Sequence, residues 1–523
     1  MGIAVAVSAS DSTAGRAGNE PGDPVVDSIY IENRNIYDAD SAHYDFWLFQ
    51  LANKLHIKTK KYVIKRELLL RKGDVFSRDL AEESARNLRA LPFLWEARAR
   101  LVKTPSGRNI LHVTTADSWT LLGGISLNRS AGETVYHVRA EEQNFLGTGQ
   151  YLSFHYYFRD TLEDYGQFTY LERRLLGSRY YFQAYHDGNP EIGMTSFSLG
   201  LPFYSLNSQF SGRFDYIDRD RRRDYYENGR IIAQHKEEGS QFVFNGAYRF
   251  GTYNNKVRLG IELAYKDMEI VDKIYLGGHD RVTLPDDSLL YAVIPKMGIH
   301  NYQYVQATHI DNFRKIEDIL FLNGAEMRIG RYFDRDGDKL YDYTGFTANF
   351  SKYYKGNMFF LKFSRNYWIN GGRHFRKGTN VSIRYYNNNT LWLTPILYVS
   401  YDNNWREDNT ASLYLGENNG LRGYPRNYTT GDKRIKGNIE YRFFPGIEIL
   451  SADVGAVHFW DFGKAWKRDS DLKLEDILWS VGFGLRIGLE RISHAKILRF
   501  DLAYAGQIKD WQLSFGLGQY IKQ

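Results

Sequence analysis

At 523 residues the chain is long enough for a large domain with an appendage, and 68 basic against 62 acidic residues leave a net charge of +6, too balanced for a dedicated nucleic-acid binder. Cysteine is absent, which excludes thiolate catalysis and Cys-ligated metal. Forty tyrosines, 32 phenylalanines and 47 glycines beside only 11 prolines suit a β-barrel girdled by aromatic side chains.

The chain opens on MGIAVAVSAS, apolar but short for a signal peptide and without a basic leader, which reads as a mature or trimmed start. Residues 1–26 read as a flexible lead-in. No apolar run reaches the roughly 20 residues of a spanning helix, a test that alternating barrel strands escape. From Asp27 to about Ser118 the pattern is that of a small α/β domain. SIYIEN alternates Ile29 and Ile31 with polar neighbours and predicts a strand. KKYVIKRELLLRKGD places Val63, Ile64, Glu67, Leu68 and Leu70 at helical spacing up to Gly73. Ser77 caps a second helix whose first turns hold Asp79, Glu82 and Glu83, with Leu80, Ser84, Leu88 and Leu91 inward and Pro92 beyond its end. WEARARLVK and NILHVTTAD close the domain as two strands about a TPSG turn. The order β-α-α-β-β and the phrase LLLRKGDVFSRDL resemble a POTRA domain. An insert at 39–59 departs from that pattern. Its Phe46, Trp47, Phe49 and Leu51 form an extra short helix, read either as local core packing, the more frequent case, or as an apolar contact surface for a partner or the membrane edge.

From Trp119 the period becomes two and stays so. YLSFHYYF sets Leu152, Phe154, Tyr156 and Phe158 against Ser153 and His155. WSVGFGLRIG sets Trp479, Val481, Phe483, Leu485 and Ile487 against Ser480, Gly482, Gly484, Arg486 and Gly488. WQLSFGLGQY sets Trp511, Leu513, Phe515 and Leu517 against Gln512, Ser514, Gly516 and Gly518. A soluble sandwich would bury the apolar face, whereas a membrane barrel turns it to lipid and keeps the polar face for the lumen. NFLGTG, Asn144 to Gly149, is a tight turn. Polar stretches at 218–239, 267–288 and 402–432 read as outer loops, and DRDRRRD, Asp218 to Asp224, as a solvated loop face.

FDRDGDKLYD has the look of a calcium loop but lacks the terminal glutamate at position 12 and helical flanks, so a polar turn is the better reading. The glycines of GFGLRIG lack dinucleotide-binding spacing and fit small lumen-facing positions of a strand. No nucleophile elbow, zinc-protease or phosphate-loop motif occurs, and the 13 histidines show no ligand spacing; no cofactor, metal or enzymatic activity is expected.

The most informative stretch runs from Gly416 to Trp466. It holds Leu421, Arg422, Gly423 and Tyr424 in a glycine-rich loop, then an alternating strand with Glu440, then HFWDFGKAW with Asp461. By spacing alone, Arg422 is either an ordinary exposed arginine, the more frequent case, or one folded into a barrel lumen against one or both carboxylates. On that strand Glu440 and Arg442 share one face, opposite Ile439, Tyr441 and Phe443.

LRGY, the glutamate strand and FWDFGKAW resemble the BamA/TamA superfamily of outer-membrane insertases and transporters, most specifically between Gly416 and Trp466. The resemblance implies one POTRA-like domain (27–118) in the periplasm. It is followed by a transmembrane antiparallel β-barrel of about 16 strands (119–523) with loop 402–432 folded inward, so part of 270–310 becomes loop. It implies that Arg422 contacts Glu440 and Asp461. It also implies a lateral seam between a first strand near Leu121–Asn128, weakened by Gly123 and Gly124, and a last near Trp511–Tyr520 carrying Leu513, Phe515 and Leu517. The plain reading of Gly123–Gly124 is a kink at the domain junction. The implied function is insertion of β-barrel proteins in a bacterial-type outer membrane. Its partners would be unfolded outer-membrane proteins, membrane lipids and accessory periplasmic subunits, with no nucleic acid. The alternatives are a two-partner secretion pore exporting a cognate protein and a non-catalytic scaffold barrel. A single POTRA-like domain departs from the several usual in that family.

Overall fold

The structure, a computed structural model, describes residues 23–38, 44–130, 133–160, 163–227, 230–275, 288–390, 392–407, 413–493 and 497–521. The lead-in lies outside these residues except for 23–26, which are not loose: Val25 is bridged to Val75 and Val26 is fully buried. The N-terminal domain runs β1 (Ser28–Arg34), α1 (Trp47–Leu55), α2 (Lys61–Glu67), α3 (Arg78–Arg89), β2 (Leu94–Lys103) and β3 (Asn109–Asp117). Its sheet has the order β1-β3-β2, with β1 parallel and β2 antiparallel to β3. Ile64, Leu70, Leu88, Phe93, Leu111 and Val113 fill the core between that sheet and the helices. Ser77 Oγ accepts the Leu80 amide at 3.3 Å and starts α3.

Two expectations need correction here. Helix α2 stops at Glu67 rather than near Gly73. Leu68 and Leu70 are both buried two residues apart, as an extended segment allows, and the Leu69 amide is taken by Ser84 Oγ at 2.9 Å. The insert does form a helix, α1, but of its four apolar residues only Phe49 is buried, whereas Phe46, Trp47 and Leu51 are exposed. Core packing therefore accounts for one of the four.

Beyond Trp119 the chain makes one antiparallel sheet of twenty strands, not sixteen. In order they are β4 (Leu121–Ser130), β5 (Glu133–Glu142), β6 (Tyr151–Arg159), β7 (Tyr165–Glu172), β8 (Tyr181–Asp187), β9 (Met194–Leu201), β10 (Phe210–Glu227), β11 (Arg230–Gly251), β12 (Asn255–Tyr275), β13 (Ser288–Ala307), β14 (Glu317–Phe333), β15 (Lys339–Tyr354), β16 (Asn357–Asn370), β17 (Arg373–Asn387) and β18 (Leu393–Arg406). After a two-stranded ribbon, β19 (Leu413–Leu415) with β20 (Thr429–Gly431), the wall resumes as β21 (Lys433–Ile449), β22 (Ala452–Trp466), β23 (Leu478–Gly488), β24 (Ile497–Ala505) and β25 (Asp510–Leu517). The order brings β25 round beside β4 as in a closed barrel.

The outer-loop expectation fails at 218–239, where β10 and β11 pair without a break from Phe210↔Tyr248 to Glu227↔Arg230 apart from one bulge. The charge run there is strand, held by cross-strand partners such as Arg221 with Glu237 and Lys236 with Asp220. At 267–288 β12 continues to Tyr275 and β13 starts at Ser288; residues 276–287 lie outside the described residues. Polar composition misleads because the 22-residue β11 pairs with β10 from Arg230 to Tyr248 and its charges are met by partners across the ladder. DRDGD is a turn, with the Asp336 and Asp338 amides bonded to Asp334 Oδ1 at 3.0 and 2.8 Å.

The wall is inside-out relative to a soluble sandwich. Along β23 Trp479, Phe483 and Leu485 are exposed while Ser480, Gly482, Gly484 and Arg486 are buried. Phe515 on β25 is 65% exposed and Ser153 on β6 only 6%. Among the described residues no helix is long and apolar enough to cross a membrane, which says nothing of strands.

Candidate functional site

The ribbon β19–β20 carries residues 416–428 back into the barrel. The Leu421 amide bonds to Gly416 O at 3.0 Å and the Glu417 amide to Tyr424 O at 3.2 Å, closing the tip on itself. Gly423 sits at φ +81°, and a Cβ there would stand 3.0 Å from the Ala503 Cβ of β24, so a side chain would be both strained and crowded. Leu421, Arg422 and Tyr424 are fully buried. Leu421 and Tyr424 pack with Leu415, Ala465, Leu478 and Ala505, and Tyr424 Oη donates to Trp479 O at 2.9 Å.

Arg422 is the centre of a closed charge network. Its Nε and Nη2 donate to the two carboxylate oxygens of Asp461, each at 2.7 Å, and its own amide reaches Asp461 Oδ2 at 3.2 Å. Nη1 lies 2.9 Å from Glu440 Oε1, an ion pair without hydrogen-bond alignment, and 3.6 Å from Asp501 Oδ2. The guanidinium plane is sandwiched between Phe459, 3.5 Å from the ring centroid, and Tyr520, at 4.2 Å. Asn438 Nδ2 ties Asp461 Oδ1 (2.7 Å) to Gly420 O (2.9 Å) and so fixes carboxylate and loop together.

Two further arginines complete it. Arg442 Nε donates to Glu440 Oε2 at 2.9 Å and Arg486 Nη1 to Asp501 Oδ1 at 2.6 Å. Arg422, Arg442 and Arg486 thus stand against Glu440, Asp461 and Asp501, all at most 2% exposed, with Arg499 3.3 Å from Asp501 and Asp311 3.0 Å from Arg442 at the edges, so that the charges balance. Neutrality is what lets six charges leave water, since a buried ion without a partner costs several kcal/mol. Both carboxylates named from the sequence meet Arg422. Asp501, Arg486, Phe459 and Tyr520 went unnamed as its neighbours, although Arg499, Asp501 and Ala503 alternate with Leu498, Phe500, Leu502 and Tyr504 in the same inward–outward pattern.

Tyr520 belongs to the site because the last strand is shorter than expected. It ends at Leu517; Gly518, at φ +78°, turns the chain inward, and Ile521 joins a buried cluster with Ile310, Phe321 and Tyr386. β25 and β4 are hydrogen-bonded neighbours in the strand order and close the wall, and the other neighbouring pairs each run in an extended residue register. Ile125, beside Gly123 and Gly124, is 82% exposed, and Leu513, Phe515 and Leu517 are all exposed. A Cβ on Gly123 would meet nothing within 4 Å, so close packing does not demand that glycine; one on Gly124 would press on the flexible Arg139 side chain. Below the seam Trp119 is bridged to Ile492, in the connection between β23 and β24.

The connection between β13 and β14 forms a floor that the sequence did not suggest. It reaches across the lumen, where Arg442 Nη1 donates to Ile310 O and to Asp311 Oδ1 (3.0 Å). Glu317 accepts the amides of Ile310, Asp311 and Asn312, and Glu490 those of Phe313, Arg314 and Lys315. Burial pushes the Glu490 carboxyl above its usual range, against the pull of those amides. Lys315 Nζ continues to Leu94 O in the N-terminal domain. That domain is tied to the barrel rim by Arg89 on Asp318, with two bonds of 2.7 Å, and by Arg174 on Glu67. Nearby, burial pushes Arg173, which donates to Gly149 O, down to about 10.

No protein-family model and no curated protein matches the chain. Among solved structures it is similar to CdiB from Escherichia coli (12% identity over 98% of this chain and 91% of the other, TM-score 0.46) and to CdiB from Acinetobacter baumannii (12%, 94% and 73%, TM-score 0.43). It is also similar to BamA from Haemophilus ducreyi lacking POTRA domains 1–3 (13%, 94% and 83%, TM-score 0.35).

Proposed function

We propose that this chain is an outer-membrane β-barrel of the BamA/TamA superfamily, with a POTRA-like domain in the periplasm, and that it assembles other β-barrel proteins at its lateral seam. Membrane embedding is supported by the exposed apolar wall over a buried polar interior. Family membership is supported by Arg422 of LRGY, locked on Asp461 of FWDFG with Glu440 beside it. The observation that carries the seam mechanism is the contrast between wall and lumen. The strands that meet at closure are short, ten residues in β4 with Gly123 and Gly124 among them and eight in β25, while the lumen is crossed by the Arg422 loop, residues 518–521 and the 308–316 floor. A strand edge freed when that seam opens is a template for an incoming strand, so the client is an unfolded outer-membrane protein added by β-augmentation. The protein is read as non-enzymatic. Accessory periplasmic subunits would meet it on the N-terminal domain.

The test is a set of cysteine pairs, one partner in β4 and one in β25, in this cysteine-free background. Oxidation is expected to stop assembly of client barrels, and reduction to restore it. Full activity of a demonstrably crosslinked protein would remove the seam mechanism and leave export through the lumen, or a scaffold role, as the explanation. A second prediction concerns topology: protease added to intact cells spares residues 27–118, and rapid cleavage there contradicts the periplasmic placement.

A further inference from the structure

Helix α1 carries two apolar faces, and among the described residues one is buried against the protein while the other is exposed. At 100° per residue, Phe49, Ala52 and Asn53 fall on one side, and that side is used. Phe49 packs with Ile36 and Tyr37, its ring centroid 4.5 Å from that of Tyr37 and 5.5 Å from that of Tyr44. Asn53 Oδ1 accepts the Tyr37 amide at 3.1 Å and its Nδ2 donates to Tyr37 O at 2.9 Å. Trp47, Leu51 and Leu55 fall at i, i+4 and i+8 on another side with Leu48 beside them, and all four are exposed, Trp47 by 61% and Leu55 by 63%. Among the described residues no core cluster takes up this second stripe.

The anchors of the helix locate it. Tyr44 Oη donates to Glu448 Oε1 (3.4 Å) and Tyr37 Oη bonds to Ser451 Oγ (3.3 Å). Glu448 and Ser451 lie at the β21–β22 turn, interleaved with Ile447, Ile449 and Leu450, which belong to the outward apolar wall and are each at least 50% exposed. Arg491, in the β23–β24 connection, donates to Ile36 O and stacks on Tyr44 at 5.2 Å. The helix is thus fastened to the barrel rim where the apolar wall ends. Exposed lysines follow the stripe at Lys54, Lys58, Lys60 and Lys61. An apolar stripe bordered by lysine and fastened to the edge of a lipid-facing wall fits a bilayer interface: acyl chains under Trp47, Leu51 and Leu55, anionic headgroups on the lysines.

We infer that α1 is a membrane-interface helix, lying in the leaflet on the side of the N-terminal domain and holding that domain's orientation against the bilayer. This rests on the embedded-barrel reading above, and the test separates the two. Single cysteines at Leu51, at Gln50 on the polar side, and at Leu485 on the barrel wall each receive an environment-sensitive fluorophore. The full chain is then reconstituted in phosphatidylethanolamine–phosphatidylglycerol vesicles containing lipid spin-labelled near the headgroup. Expected is loss of most emission at Leu51 and Leu485 and little loss at Gln50. Quenching at Leu485 but not at Leu51, or no more at Leu51 than at Gln50, overturns the interface helix and leaves the embedded barrel standing. No quenching at Leu485 overturns both. In a Leu51→Asp, Leu55→Asp chain carrying its label at Leu48, the barrel folds, because neither leucine is in a core, and the Leu48 label escapes the quencher; retained quenching there overturns the inference.

Discussion

Arg422→Ala is expected to release the lumenal loop and abolish activity while the barrel still folds. The substitution takes from Asp461 the arginine it pairs with and leaves it Asn438, while Glu440 keeps Arg442 and Asp501 keeps Arg486 and Arg499. Orphaning a buried charge costs about 3–5 kcal/mol, and the stacking of the guanidinium on Phe459 and Tyr520 goes with it. Asp461→Ala costs less, because Arg422 keeps Glu440 at 2.9 Å and Asp501 at 3.6 Å. The strand ladders do not depend on either residue, so heat-modified gel migration of the barrel should persist in both variants. Limited proteolysis within 413–431 reads the loop directly, with cleavage fastest in Arg422→Ala, slower in Asp461→Ala and slowest in the parent. Arg422→Met with Asp461→Leu removes the pair together and should restore much of the loop's protection, as replacing a whole buried ion pair often does. Equal protection of the loop in Arg422→Ala and the parent would mean that the ribbon β19–β20 alone holds it, and the network would lose its assigned role.

The same residues show what a sequence can and cannot give. Alternation along β23 and β25 was legible because one face is apolar and exposed and the other small or polar and turned to the lumen. Arg422, Glu440 and Asp461 were legible through a motif. Asp501 and Tyr520 were not, since their part in the site is set by which strands become neighbours on closure and by the inward turn at Gly518, facts of topology rather than local pattern. Polar composition misread the tall strands at 218–239, because strand pairing there is maintained by cross-strand charges in water. The insert was legible as a helix, but its orientation depends on Tyr37 and Tyr44 reaching a turn some four hundred residues away, with separations of 414 and 404. The lumen floor gave no signal at all: Glu317 and Glu490 are ordinary glutamates until the fold wraps main-chain amides around each.

That floor yields the other large effect. Glu490→Ala should open an ion-conducting path through the barrel. Residues 310–315 have no secondary structure, so their six amides need acceptors from elsewhere, and Glu317 and Glu490 supply them in two sets of three. Removing Glu490 orphans the Phe313, Arg314 and Lys315 amides, each at about 1–3 kcal/mol if it stays buried. The cheaper outcome is that this half of the segment swings out into water. Phe313 would then leave Phe444, against which it packs edge-on at 5.1 Å, and the Arg314 bonds to Asp453 and Glu448 would break with it. Glu490→Gln retains one acceptor oxygen and should fall between alanine and parent. Arg314→Ala should do least, because that side chain is 44% exposed and screened by solvent. Conductance of the reconstituted protein in planar bilayers orders the four chains as Glu490→Ala, Glu490→Gln, Arg314→Ala, parent. A folded Glu490→Ala barrel that conducts no more than the parent would place the seal at the Arg422 loop instead, and combining it with Arg422→Ala would then be the chain that leaks.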